Sequence, residues 1–161
     1  MNAMTDDTKN NSVDVTASAS LEFCLRMARA YATFTRRFDN VLGSLHGLSF
    51  GDFVLLLNLS RAPGGRLRRV DLAERLGLTA SGITRTLLPL EKIGLITRQS
   101  DTRDARVGYA VLTPSGQKLL INALASAELI SQESLQSVPA DQLDGLSQVL
   151  GQLAGMNLSN T

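Results

Sequence analysis

The sequence predicts a mainly α-helical fold with one small β-hairpin, and two patterns support this prediction. Apolar residues recur at three- and four-residue spacing through most of the chain, which is typical of amphipathic helices. Between about residues 95 and 112, two short runs with the composition of strands flank a charged loop instead. Two short helices joined by a glycine turn precede this hairpin. The order helix, turn, helix, hairpin is that of a winged helix-turn-helix, with the charged hairpin as the wing.

The helix-turn-helix is predicted from residue 70 onward. Val70, Ala73 and Leu76 follow one another at three-residue spacing and should form the buried side of a short first helix. Gly77 can adopt the positive φ that ends a helix. Thr79 is then a candidate N-cap for the second helix, because its hydroxyl can accept a hydrogen bond from a backbone amide in the first turn.

The second of these helices, which we name the recognition helix, is expected to start near Ala80. Its first turns are small and polar, whereas its last turns are apolar, with Leu87, Leu90 and Ile93. One end can therefore enter a groove while the other end is anchored in a core. Pro89 is unusual here, since proline removes a backbone amide and costs about 3 kcal/mol inside a helix. It predicts either a kink or a separate last segment.

Four further helices are predicted around this centre, over residues 21–45, 49–60, 114–135 and from 139 onward. Ser49 with Asp52 three residues later resembles a capping box, and Thr113 followed by Pro114 is a typical helix start. The helix over residues 49–60 is apolar nearly all round and should be central in the core. A very short edge strand is expected near Arg68.

The last helix carries leucines at heptad spacing, and such a seam needs a partner: Leu143, Leu146, Leu150 and Leu153. We therefore expect a homodimer, with a monomeric helical bundle as the alternative. A chain of 161 residues is long enough for one domain. The predicted organisation is a disordered arm over residues 1–19, a single domain over residues 20–156 and a tail over residues 157–161. Within the domain, the winged helix-turn-helix lobe is residues 48–113, and the dimerisation helices are residues 20–47 and 114–156.

The formal net charge is only +1, but the charge is unevenly distributed. From residue 61 to residue 106 there are ten Arg and Lys against five Asp and Glu, whereas the remainder has six against ten. The positive charge is thus concentrated on the predicted winged helix-turn-helix, which favours duplex DNA as a partner. Aromatic residues make up only 4% of the chain, which leaves little for stacking on single-stranded nucleic acid.

Several other classes of protein are disfavoured. One cysteine and one histidine exclude an internal disulfide and a Cys/His metal cluster. The sequence has no phosphate-binding glycine loop and no nucleophile with a nearby base, so we expect no enzymatic activity, no catalytic residue and no cofactor. The first residues lack the pattern of a signal peptide, and no apolar run approaches the roughly 18 residues that span a bilayer. We therefore expect a cytoplasmic protein.

Two stretches, LAERLGLTASGITRTLLPLEKIGLITR and DTRDARVGYAVLTPSGQKLL, resemble the MarR family of bacterial transcriptional regulators. The most specific parts are DTRDAR at residues 101–106 and LTPSG at residues 112–116. The resemblance extends over roughly residues 21–156. It implies a homodimeric regulator that binds a pseudo-palindromic double-stranded operator, and most simply a repressor that a small ligand releases from DNA.

The resemblance also implies which residues of the recognition helix contact DNA. Ser81, Thr84 and Arg85 occupy positions that face the major groove in the family. Short hydroxyl side chains allow close approach, and an arginine can pair bidentately with guanine. Thr79 begins this surface. Gly82 is costly inside a helix, and close approach of another backbone would explain it.

The wing supplies a second set of candidate contacts. Arg103 and Arg106 are candidates for the minor groove, whose negative potential attracts guanidinium groups, and the sequence leaves open which of them inserts. Asp101 and Asp104 would be repelled by phosphates, so we expect them to hold the arginines and shape the loop. Four further arginines are expected to contact phosphates without reading the sequence, namely Arg66, Arg68, Arg69 and Arg98.

The family resemblance raises two more sites and leaves two alternatives open. Phe34, Phe38, His46 and Phe50 could line a pocket for a small aromatic or phenolic ligand, although a satisfied loop histidine is the favoured interpretation of His46. Some relatives sense peroxides through a cysteine in the first helix, so Cys24 is a candidate redox residue, with a small core residue as the alternative. The alternative functions are a peroxide-responsive regulator and a winged-helix interaction module that no longer binds DNA.

Overall fold

The computed structural model describes residues 16–102, 104 and 107–155. These residues form helices and strands in the order α1 (Ala19–His46), α2 (Phe50–Arg61), β1 (Arg66–Arg68), α3 (Arg69–Arg75), α4 (Ala80–Lys92), β2 (Ile96–Ser100), β3 (Gly108–Leu112), α5 (Pro114–Leu135) and α6 (Ala140–Leu153). A single 3₁₀ turn, Pro63–Gly65, precedes β1. The mainly helical fold class with a small hairpin is confirmed.

Some sequence predictions concern residues outside the described ranges. Residues 1–15 of the expected arm and the expected tail over residues 157–161 lie outside the described ranges. Among the described residues, no single helix is long and apolar enough to cross a membrane, and α1 and α2 meet that criterion only when the two are taken together across the bend between them.

By its contacts the chain divides into two compact units, Met1–Thr33 and Phe34–Thr161. In the first unit, the N-terminal half of α1 exposes a series of large apolar side chains, namely Leu21, Phe23, Leu25, Met27 and Tyr31. The second unit contains the hydrophobic core. Its nine largest fully buried side chains come from α1, the α1–α2 turn, α2, α3, α4 and β2: Leu42, Leu48, Leu55, Leu56, Leu59, Leu72, Ile83, Leu87 and Ile96.

Helix α2 is central in this core, as its composition predicts. It buries Phe53, Leu55, Leu56 and Leu59 on more than one face. Each fully buried side chain of this size contributes roughly 1.5–3 kcal/mol relative to an exposed one. The predicted capping box is present, since Ser49 Oγ accepts from the Asp52 amide at 3.0 Å and Asp52 Oδ2 accepts from the Ser49 amide at 3.1 Å.

The three strands form one antiparallel sheet in the order β1-β3-β2. Arg66 is opposite Val111 in the β1–β3 pair, and Ile96 is opposite Leu112 in the β2–β3 pair. The predicted hairpin and the short edge strand at Arg68 are therefore confirmed. The strand β3 is central, and its Ala110 is buried.

Two details of the helix-turn-helix differ from the sequence prediction. Val70 is 66% exposed, whereas α3 buries Ala73, as expected, together with Leu72, so the predicted buried side of this seven-residue helix was wrong at Val70. Ile93 is also exposed, because α4 ends at Lys92 and Ile93 leaves the apolar stripe as the C-cap residue. Pro89 lies inside α4, which continues past it to Lys92, so the last turns are not a separate segment.

The start of α5 is packed unusually closely on the start of β2. Thr113 Oγ1 accepts from the Gly116 amide at 3.0 Å, which confirms the predicted cap. A Cβ atom at position 116 would lie 2.1 Å from the carbonyl oxygen of Leu95 and 2.8 Å from Leu112 Cδ1. No side chain fits there unless the backbone of α5 or β2 moves, so only glycine permits this approach.

We therefore expect Gly116→Ala to lower the free energy of unfolding by about 1–3 kcal/mol, because overpacking forces backbone shifts. Gly51→Ala in α2 is the control, since a Cβ there would meet Ser49 Oγ at an ordinary 3.7 Å. That change should alter stability by at most about 1 kcal/mol. Denaturant unfolding followed by circular dichroism measures both, and equal stabilities for the two variants would contradict the packing argument.

Candidate nucleic-acid interface

The recognition helix α4 starts as its sequence predicts. Thr79 Oγ1 accepts from the Gly82 amide at 3.1 Å and lies 3.2 Å from Ser81 Oγ. A Cβ on Gly82 would lie 3.2 Å from the same Thr79 hydroxyl, so the cap itself favours a small residue there. The expected approach of another backbone is not needed to explain Gly82. The hydroxyls of Thr79 and Ser81 are both exposed at the start of the helix.

The two faces of α4 differ in character. Ile83, Leu87 and Leu90 are buried in the core and hold the helix in place. Ser81 and Arg85 lie on the exposed side, one helical turn apart. Among the described residues Arg85 has no hydrogen-bond or ion-pair partner, so its guanidinium is available to an outside acceptor.

Thr84 lies between these faces and is engaged within the protein. Its hydroxyl donates to the carbonyl oxygen of Ala80 at 2.9 Å and accepts a hydrogen bond from Arg69 Nη2. Arg69 is the first residue of α3 and is only partly exposed. The two side chains therefore link the first helix of the helix-turn-helix to the second.

The base of the wing is organised around Tyr109 on the central strand. The guanidinium carbon of Arg66 lies 4.9 Å from the centre of the Tyr109 ring, and Arg66 Nη1 donates to Gln99 Oε1 at 3.0 Å. The Tyr109 hydroxyl donates to Asp101 Oδ2 at 3.3 Å. The neighbouring Tyr109 hydroxyl and the Asp71 carboxylate raise the pKa of Arg68 above its ordinary value. Sequence reasoning did not single out Tyr109 or Gln99 as site residues, since the three-residue strand β1 has too little pattern to set its register against β3.

Asp101 forms hydrogen bonds at the start of the wing loop. Its Oδ1 accepts from the backbone amide of Asp104 at 3.3 Å, and its own amide donates to the carbonyl oxygen of Val107 at 2.9 Å. Arg103 and Arg106 lie outside the described residues. Their insertion into the minor groove and their pairing with the two aspartates therefore stay predictions.

Arg98 on β2 is held by an acidic residue of the recognition helix. Its Nε lies 2.6 Å from Glu91 Oε1, and this contact raises the pKa of Arg98. An exposed ion pair of this kind contributes at most about 1 kcal/mol to stability. Its effect is to hold the arginine beside the end of α4.

A groove of about 810 Å³ lies between α3, α4 and the hairpin. Its walls carry three of the arginines expected to contact phosphates, Arg68, Arg69 and Arg98, together with Thr84 and Tyr109. Of the candidates on the recognition helix, Thr84 borders this groove, whereas Thr79, Ser81, Gly82 and Arg85 are not among its described lining residues. Arg66 lies at its edge through its contact with Tyr109.

The residues of the predicted ligand pocket are partly packed against each other. The rings of Phe38 and Phe50 are 4.4 Å apart between centroids, at 35° to each other, and Phe38 is buried. Phe34 is half-buried. His46 is the last residue of α1 rather than a loop residue, and its Nε2 lies 2.9 Å from Ser126 Oγ on α5.

Cys24 is exposed in the first unit. Within the described single chain, Cys24 therefore lies outside the hydrophobic core. The redox role stays a prediction.

Known proteins are similar to this chain in sequence and in fold. Residues 48–107 match the sequence model of the MarR family. The transcriptional regulator BldR from Sulfolobus solfataricus is 31% identical over 83% of this chain and 95% of its own, with a TM-score of 0.73. The chain belongs to the MarR family.

Two other MarR-like structures are similar to the chain over most of its length. A MarR family transcriptional regulator from Streptomyces coelicolor, solved in complex with DNA, has a TM-score of 0.79 at 23% identity, over 89% of this chain and 96% of its own. BpsR from Bordetella bronchiseptica has a TM-score of 0.72 at 21% identity, over 84% and 98%. The MarR family consists of transcriptional regulators rather than enzymes, and the mostly helical winged-helix fold of this chain is the fold of the family.

Proposed function

We propose that this MarR family protein is a homodimeric repressor that binds a pseudo-palindromic DNA duplex. The observation that carries the proposal is Arg85, an exposed arginine on the recognition helix without a partner among the described residues. In the major groove a guanidinium can donate two hydrogen bonds to one guanine, which discriminates against the wrong base by about 1–3 kcal/mol. Ser81 and Thr79 at the start of the same helix allow close approach to the duplex.

The other basic residues would supply affinity rather than sequence readout. Arg68 and Arg98 border the groove beside α4, where the phosphate backbone passes between a major-groove helix and a minor-groove wing. Arg103 or Arg106 would enter the minor groove. Two lobes on one face of the duplex would be about 34 Å apart, one helical turn. A protein that neutralises several phosphates binds more weakly as salt rises.

Arg85→Ala should weaken specific binding by about tenfold or more, whereas Arg103→Ala should weaken it by less. Fluorescence anisotropy measures this with the wild type and both variants on the intergenic DNA upstream of the protein's own gene. A scrambled duplex of the same composition is the control, and a salt series reports the number of phosphates contacted. A loss of about tenfold or more for Arg85→Ala on the specific duplex alone is expected. Equal and weak binding of all three proteins to both duplexes would contradict autoregulation through this surface.

Exposed apolar side chains support the dimer. Helix α6 exposes four apolar residues along its length, namely Leu146, Val149, Leu150 and Leu153. The N-terminal half of α1 separately exposes five, as described above. Apolar surface of this extent on helices usually marks an interface, and a two-fold dimer matches a pseudo-palindromic operator.

Leu150→Glu should convert the protein to a monomer, because a carboxylate would then be buried without a partner in the interface. Sedimentation velocity on the wild type and the variant measures this change. Val70→Glu is the matched control, since Val70 is also exposed, 66% against 50% for Leu150, but lies in α3, outside the proposed interface. A dimeric Leu150→Glu variant, or a monomeric wild type, would rule out the α6 interface.

We further propose that a small aromatic or phenolic acid relieves repression. BpsR provides the support, since its DNA binding is regulated by 6-hydroxynicotinic acid. Phe34, Phe38, His46 and Phe50 supply an aromatic environment with one polar group. A ligand can weaken DNA binding only if it binds better to a dimer with wrongly spaced lobes.

The ligand proposal is tested with benzoate, salicylate and 6-hydroxynicotinic acid. At least one of them should raise the melting temperature of the protein and lower its affinity for the specific duplex. Phe34→Ala should lose this response while it keeps the affinity for DNA in the absence of acid. A response that persists in Phe34→Ala would place the ligand elsewhere, and no response to any of the three acids would contradict the proposed ligand class.

The alternative of an interaction module without DNA binding is not favoured. Such a module would have a neutralised wing and recognition helix, whereas residues 61–106 carry twice as many basic as acidic residues. Exposure of Cys24 is compatible with thiol sensing, but exposure alone does not distinguish a sensor from an unreactive surface cysteine.

A further inference from the structure

Arg69 contacts three elements of the DNA-facing lobe. It begins α3, and its guanidinium reaches Thr84 on the recognition helix. Its aliphatic stem lies against β3, since a Cβ built on Gly108 would be 3.3 Å from Arg69 Cδ. The glycine at the start of β3 leaves room for this stem. Arg69 therefore connects the start of α3, the recognition helix and the hairpin.

The surroundings of Arg69 hold it in one place. Its Nε atom is inaccessible to solvent and has no partner among the described residues. Its Nη2 donates to Thr84 Oγ1, and a hydrogen bond from a charged donor is stronger than a neutral one. A side chain fixed in this way is less able to follow a phosphate than the exposed neighbour Arg68.

The same contact changes what Thr84 can do. A threonine hydroxyl has one hydrogen to donate, and this hydrogen is directed to the carbonyl oxygen of Ala80. Arg69 fills one of the acceptor positions of the oxygen. While these bonds persist, the Thr84 hydroxyl cannot donate to a base edge.

We propose that Arg69 is a positioning residue that sets the orientation of the recognition helix relative to the wing through its hydrogen bond to Thr84. The inference rests on the proposed DNA-binding function. A major-groove helix and a minor-groove wing must reach their grooves together, so a small rotation of α4 against the hairpin displaces Arg85 from its base. The loss of the contact should therefore reduce sequence discrimination more than general affinity.

The test uses Arg69→Lys and Thr84→Val, singly and together. Lysine keeps the charge and most of the stem but ends one bond short of Nη2, and valine keeps the shape of threonine without its hydroxyl. The probe is a duplex of roughly 30 bp, long enough for two half-sites, that the wild type enriches from a random library. Anisotropy on this duplex and on a scrambled one gives the ratio of specific to nonspecific affinity.

Each single variant should lose about tenfold in affinity for the selected duplex and less than about twofold for the scrambled one. The double variant should lose no more affinity than the single variant that binds more weakly. This non-additivity is the signature of two residues acting through one contact. Thr84→Ser restores the hydroxyl and should restore the ratio. Melting temperatures identify any variant that has lost its fold. If one has, the comparison of the affinity ratios of Thr84→Ser and Arg69→Lys decides the proposal.

Arg68→Met is the matched control for a phosphate contact. It should weaken binding to both duplexes equally and lower the salt slope by about 1. Three results would overturn the positioning role alone. Arg69→Lys could bind both duplexes like the wild type, or Thr84→Ser could discriminate between them as poorly as Thr84→Val. The losses of affinity in the two single variants could also multiply in the double variant. If the wild type enriches no sequence, the proposed function fails and this inference fails with it.

Discussion

The winged-helix lobe depends on the junction at Thr113, where the hairpin ends and α5 begins. The Thr113 hydroxyl donates to the carbonyl oxygen of Gly94 at 2.7 Å and accepts from the amide of Gly116 at 3.0 Å. Its backbone amide donates to the carbonyl oxygen of Leu95 at 3.1 Å. One residue thus caps α5 and satisfies the carbonyls that follow the recognition helix. Because Gly116 has no side chain, the backbones can come close enough for all these bonds to form.

The arginines of this lobe divide into held and available ones. Arg66, Arg69 and Arg98 each have a partner within the lobe. A held arginine has already lost side-chain freedom, so it loses less entropy when it meets a phosphate. Arg85 has no such partner among the described residues and can adjust to a base edge. The lobe therefore combines positive charge in fixed positions with one adaptable arginine on the recognition helix, a combination suited to a transcriptional regulator of the MarR family.

The sequence predicted most of the local structure and less of the site. The caps at Ser49, Thr79 and Thr113 were predicted correctly, because each depends on a hydrogen bond to a residue three positions later. The buried side of α3 was wrong at Val70, since seven residues are too few to fix the phase of a helix. Tyr109 was missed because its neighbours come from the short strand β1 and the wing loop. Arg69 was predicted as a phosphate contact, and nothing near it in sequence indicates Thr84.

The sequence by itself determined the helices, their starts and the place of the wing, because these depend on periodicity and on hydrogen bonds within one turn of helix. Only the tertiary structure decided which arginines have partners and which are available. Arg66 meets Gln99 across 33 positions, and Arg69 meets Thr84 across 15. Such contacts follow from how the core and the three-stranded sheet bring distant segments together, and no local pattern encodes them.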